Sequence, residues 1–131
     1  MQPYRADVLL AEVTVLAIHD QWSWVVIVAN AVAGLWSLAA HWLTTLRTKA
    51  LWWFTTAAKV AIFVQVILGA VLVGGQGIQA PQFHMFYGFV AIITVAIIYS
   101  YREQLTAYRY LLYGLGGLFL MGLAIRASQV S

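Results

Sequence analysis

Four stretches of the chain, about 22–43, 51–73, 83–101 and 108–125, are apolar with almost no interruption. Each is close to the ~20 residues an α-helix needs to cross ~30 Å of hydrocarbon. Spanning β-strands alternate apolar and polar positions, because one face meets lipid and the other the lumen. These runs are continuous, so the pattern predicts helices. The segments between them, 44–50, 74–82 and 102–107, are short. Short connections make sequential helices antiparallel, and the expected fold is an all-α, integral membrane, four-helix up-down bundle. The middle connection contains Gly74, Gly75, Gln76, Gly77 and Pro81, a density of helix-ending residues that predicts irregular backbone at the membrane surface. Residues 8–18 are mostly apolar, with Glu12 as their one charge. They are too short to span alone; they either extend the first helix outward or lie along the membrane surface.

Composition agrees with the pattern. Of 131 residues, 63% are hydrophobic and 8% charged, where a soluble domain carries about 25% charged residues. Lipid must therefore be part of the solvent, and a single domain over 1–131 is expected. The net charge of +3 is small and scattered, which argues against nucleic acid as a partner. With no cysteine, disulfides, thiolate metal sites and a cysteine nucleophile are excluded. Residues 1–7 carry one basic residue, Arg5, and no small-residue cleavage site follows, so no removable signal peptide is expected. Arg47, Lys49 and Lys59 cluster around the first connection, and Arg102 and Arg109 flank the third; Arg5 and Arg126 are the dissenting charges. By the positive-inside rule these two connections face the cytoplasm, and both termini lie on the extracytoplasmic side, most naturally of a bacterial cytoplasmic membrane.

Polar and small residues inside apolar runs are expected to face the bundle interior, since lipid offers them no partner. Along the first helix and its extension, His19, Ser23, Asn30, Gly34, Ser37 and His41 fall near one face. Thr55, Lys59, Gln65, Gly69 and Gln76 form a looser stripe on the second, and His84, Gly88, Ala91 and Val95 another on the third. Gly114, Gly117, Met121 and Gly122 give the fourth a surface that a neighbouring helix, or a flat ligand, can approach closely. Asn30 and Gln65 are expected to bond between helices. Lys59 is expected to snorkel to the cytoplasmic interface.

The histidines carry the candidate chemistry. His19 lies at the outer end of the first helix and His84 at the outer start of the third. These helices run in the same direction, so both histidines share a membrane level. His41 comes 22 residues after His19, roughly 33 Å along a helix at about 1.5 Å per residue, and so belongs to the opposite side. Two imidazoles at one depth on parallel helices can bind a heme iron from opposite faces. Gly88 would leave room for the porphyrin, and Arg126 could pair with a propionate. The competing reading makes both histidines interfacial residues bonded to headgroups or water. A zinc or copper site would need Glu12 or Asp20 to complete its shell.

The segment Gln65-Val66-Ile67-Leu68-Gly69, followed by a short loop and His84, resembles one four-helix half of heme A synthase. In that family a Gln-x-x-Leu-Gly helix leads through an outer loop to a ligand histidine, and a second ligand histidine opens the helix two before it, here His19. The resemblance covers roughly residues 19–101 and implies heme ligands on the outer side. The chain departs from the family in having a single half, no acidic residue in the middle loop, and Asp20-Gln21 after His19 where the family tends to have an arginine. These departures bear on catalysis more than on heme binding.

Two functions are therefore expected to compete. One is a small heme-b-binding membrane protein that transfers electrons at the outer side of the membrane. The other is a non-catalytic accessory subunit of a larger respiratory or photosynthetic complex, presenting its apolar surface to lipid and to other membrane subunits. Trp22, Trp24, Trp52, Trp53, Tyr108 and Tyr110 suit either as interfacial anchors. No nucleophile elbow, phosphate loop or carboxylate pair occurs, and nothing in the sequence supports a catalytic centre or a transporter.

Overall fold

The computed structural model describes residues 3–75 and 81–130. It contains four long helices, α1 (Pro3–Trp42), α2 (Lys49–Ala70), α3 (Gln82–Tyr101) and α4 (Arg109–Gln129). All four are long and apolar enough to cross a membrane, and among the described residues there is no strand. The last three helices lie within a few residues of the apolar runs, and α1 ends where its run ends but starts well before it, at Pro3; runs of this length leave the backbone no cheaper way to satisfy its N–H and C=O groups in hydrocarbon.

The choice left open for residues 8–18 is settled: they continue α1, which runs unbroken for 40 residues. No proline or glycine lies between Val8 and Ile18 to break the helix. At the other end of α2 the helix widens into a π-type turn, Val71–Gly75, before its glycines end it. Residues 76–80, the centre of the glycine-rich connection with Gln76 of the α2 stripe, lie outside the described residues. Each of the other two connections contains one turn of 3-10 helix, Thr44–Leu46 and Thr106–Tyr108.

Cross-helix contacts give the direction of each helix. A Cβ at Gly114 would meet Leu38, and one at Gly117 would meet Gly34, so α4 ascends as α1 descends. Trp22 Nε1 donates to the Ala61 carbonyl of α2 at 2.8 Å, and one turn nearer the start of α1 Gln65 donates to the His19 carbonyl. His84, at the start of α3, reaches Ala127, at the end of α4. Neighbours are thus antiparallel, and α1 and α3 run the same way. The helices pack in the order α2, α1, α4, α3, with extensive α1–α4, α1–α2 and α3–α4 seams and a sparse α2–α3 seam.

Small residues explain why α1 and α4 form the tightest pair. Gly34, Gly114 and Gly117 bring the two backbones together so closely that added Cβ atoms would sit 2.7–2.9 Å from the opposing backbone. In lipid there is no hydrophobic force between helices, so dispersion across such a close seam is what holds them. The glycines of α4 therefore act as a helix-packing surface at 114 and 117, while Gly122 is exposed with open space before it. Above and beside this seam, Val26, Ala61, Ile62, Val95, Ile98, Leu120 and Leu123 form a core drawn from all four helices.

Candidate functional site

His19 and His84 meet within the bundle, in the half that holds the start of α3 and the end of α4. Their ring centres are 5.9 Å apart and their planes are inclined at 77°. Both residues are half-buried. The helix order makes them diagonal partners, so each is steadied by the helix between. Gln65 of α2 donates its side-chain N–H to the His19 backbone carbonyl at 2.8 Å, which fixes α1 and α2 in register at that level. One turn further along, a Cβ on Gly69 would lie 3.4 Å from His19 Cε1, so the bare glycine lets the imidazole rest against α2. On the other side, His84 Nδ1 lies 2.8 Å from the Ala127 carbonyl of α4.

That last contact sets a tautomer. A carbonyl oxygen can only accept, so Nδ1 of His84 is the protonated nitrogen and Nε2 keeps its lone pair in the neutral ring. A ring nitrogen donating to a backbone carbonyl while the other stays free is the usual arrangement behind a metal-binding histidine. His19 Nδ1 is covered and lacks a hydrogen-bond partner, a condition costing about 1–3 kcal/mol until some partner is supplied.

The surroundings of the pair fit a flat ligand in part. A Cβ on Gly88, one turn into α3 from His84, would meet nothing within 4 Å, and the same holds for Gly122 on α4. Two apolar grooves of about 420 and 460 Å³ occur elsewhere, on the outer face of α4 and between α1 and α2 beside Trp22, and neither includes a histidine. Arg126 is exposed near the C-terminal end of α4 and its guanidinium donates to Gln129 Oε1 at 3.2 Å. His41 lies at the far end of α1 beside Trp42, as its spacing from His19 requires. No cluster of three or more His, Cys, Asp or Glu exists among the described residues, so a zinc-type shell is not assembled. The side chain of Glu12 lies outside the described residues.

Gln65 and Gly69 belong to the site although spacing alone named only the histidines, Gly88 and Arg126. Their signal was present in the Gln-x-x-x-Gly spacing, which puts both on the α2 face turned to His19.

A second polar centre lies deeper. Asn30 is fully buried and its amide N–H group donates to the carbonyls of Val26 at 2.9 Å and Ala58 at 3.3 Å. Its Oδ1 accepts from Lys59 Nζ at 3.4 Å. Lys59 is 9% exposed, which corrects the expectation that it snorkels outward. The α1–α2 register presents the Asn30 oxygen at its depth, and that acceptor holds the amine inside. Asn30 thus bonds between helices as expected. Substituting the pair separately should expose the asymmetry. Asn30→Leu strands the Lys59 amine and is expected to destabilise by about 3 kcal/mol, whereas Lys59→Met is expected to be neutral or stabilising. Chemical unfolding in detergent, followed by far-UV circular dichroism, measures both; equal destabilisation would show that the amine contributes net stability.

Comparison of the chain with protein-family models, with curated proteins and with solved structures finds no match.

Proposed function

We propose that this chain is a small membrane protein that binds heme b through His19 and His84 and carries electrons near the extracytoplasmic side of a bacterial cytoplasmic membrane. The observation that carries the reading is the meeting of the two imidazoles inside the bundle, 5.9 Å apart. A bound heme would supply reversible one-electron chemistry at its iron. The protein's own contribution is positional. Ala127 holds the His84 ring by Nδ1, Gln65 and Gly69 hold α2 against His19, and Gly88 keeps one side free of a side chain. Arg126, exposed near the end of α4, would pair with a propionate. Both termini face outward in this reading, which follows from the basic residues around the first and third connections.

A visible absorption spectrum of the detergent-purified protein, oxidised and then reduced with dithionite, tests the proposal. A sharp Soret band with resolved α and β bands on reduction is the expected result. A featureless spectrum from cells supplied with heme would overturn it.

The second reading, an accessory subunit of a larger membrane complex, rests on a different observation. α1 runs for 40 residues, about twice the ~20 needed to cross the hydrocarbon, and Leu10 near its start is exposed. Apolar side chains above the hydrocarbon find no lipid tails there, and a neighbouring subunit would cover them. Co-purification of a stoichiometric membrane partner in mild detergent, lost on truncating residues 1–12, would favour this reading.

A further inference from the structure

At the end where α1 finishes and α2 and α4 begin, four aromatic and basic side chains form one cluster. Trp52 of α2 packs against Tyr110 of α4, ring centres 5.2 Å apart. The Arg109 guanidinium lies 4.6 Å above the Trp52 ring and 5.7 Å from that of Tyr110. The Arg47 guanidinium lies 4.6 Å from the same Tyr110 ring. Two positive charges therefore share one aromatic platform.

Their donors are spent very differently. Arg47 donates from Nε to the Ala40 carbonyl and from Nη2 to the His41 carbonyl, at 2.8 and 2.9 Å, and so caps the C-terminus of α1. Among the described residues Arg109 finds no hydrogen-bond acceptor: its Nε is covered and unpartnered. The ion pair at this end joins Arg102 to Glu103 at 3.8 Å, and among the described residues neither cluster arginine pairs with a carboxylate. Meanwhile α2 and α4 both start here, with no acidic residue in either first turn and no side-chain cap at either N-terminus. Each contributes about half a positive charge from its macrodipole.

We propose that Arg109 and Arg47, on the Trp52–Tyr110 platform, bind a phosphate group between the N-termini of α2 and α4. A guanidinium with all its donors unspent is matched to a tetrahedral oxyanion, which accepts two parallel N–H bonds and cancels the local excess of positive charge. Tryptophan and tyrosine place the platform at the depth of lipid headgroups, so the phosphate of an anionic phospholipid is the ligand nearest to hand; free phosphate offers the same chemistry. Arg47 is pre-positioned by its cap on α1, and Arg109 is held flat by stacking, so little ordering is required on binding. The inference does not depend on heme.

The test uses the full chain in mixed micelles, reading the number of retained lipids by native mass spectrometry and the melting temperature by circular dichroism. Phosphatidylglycerol is expected to be retained over phosphatidylcholine and to raise the melting temperature. Arg109→Gln should weaken that retention about tenfold, the loss of one charge-assisted contact. Arg102→Gln, outside the cluster, should leave it unchanged, and Arg109→Lys should lose less than Arg109→Gln. If inorganic phosphate alone raises the melting temperature and displaces the lipid, the site stands and its ligand is soluble phosphate. Equal loss in the Arg109 and Arg102 variants, or no preference for the anionic lipid, would overturn the site in favour of diffuse surface charge.

Discussion

His84→Ala is expected to remove the low-spin heme spectrum completely, while His41→Ala leaves it intact. The two residues are both half-buried histidines, so a general effect of losing an imidazole would not separate them. Only His84 faces His19, and only its ring is held by a carbonyl that leaves Nε2 free. His19→Ala should behave as His84→Ala does. Far-UV circular dichroism accompanies the spectra, because His84→Ala also leaves the Ala127 carbonyl without its donor, a loss of about 1 kcal/mol that the bundle should withstand. Helical signal retained with the Soret band gone is the outcome that assigns the ligands. Equal loss in His84→Ala and His41→Ala would break the proposed pairing, and a band that survives both His19→Ala and His84→Ala would place the heme elsewhere.

The second large effect concerns the α1–α4 seam. Gly114→Leu should destabilise the bundle by about 3 kcal/mol or more, since overpacking a site that cannot relax lies at the upper end of such changes. A Cβ at 114 would be 2.7 Å from the Leu38 backbone nitrogen, and backbone within a helix does not yield as a side-chain tip does. Gly34→Leu meets the Leu118 backbone in the same way, at 2.8 Å. Gly122→Ala supplies the control: nothing lies within 4 Å of its Cβ, and replacing an exposed helical glycine by alanine should stabilise by up to about 1 kcal/mol. Unfolding midpoints in a denaturing-detergent titration report all three. A Gly114→Leu midpoint within error of Gly122→Ala would show that the seam is not a source of stability.

The two predictions draw on different layers of information. The spans of α2, α3 and α4, the antiparallel order of the four helices and the shared level of His19 and His84 were legible in the sequence. Each follows from a local or one-dimensional rule: an apolar run of fixed length must hydrogen-bond within itself in lipid, and a count of 1.5 Å per residue converts sequence separation into depth. The role of Gly114 and Gly117 in helix packing was legible for the same reason, since small residues three apart mark a face.

What faces what across the bundle was not legible. Residues 8–18 carried a pattern compatible with a helix in water or on a membrane, and only the unbroken α1 decides it. Lys59 was assigned outward by its distance from a helix end, yet it bonds to Asn30 because the α1–α2 register brings that oxygen opposite. Gln65 and Gly69 join the histidine site through the same register, and Arg109 stacks on Trp52 because α2 and α4, separated by a whole helix in sequence, begin side by side. Hydropathy gives depth along the membrane normal, since the bilayer itself is the ruler. Rotation and neighbour choice around that normal depend on how side chains of different helices interlock, and lipid is indifferent to them; only the packed bundle chooses.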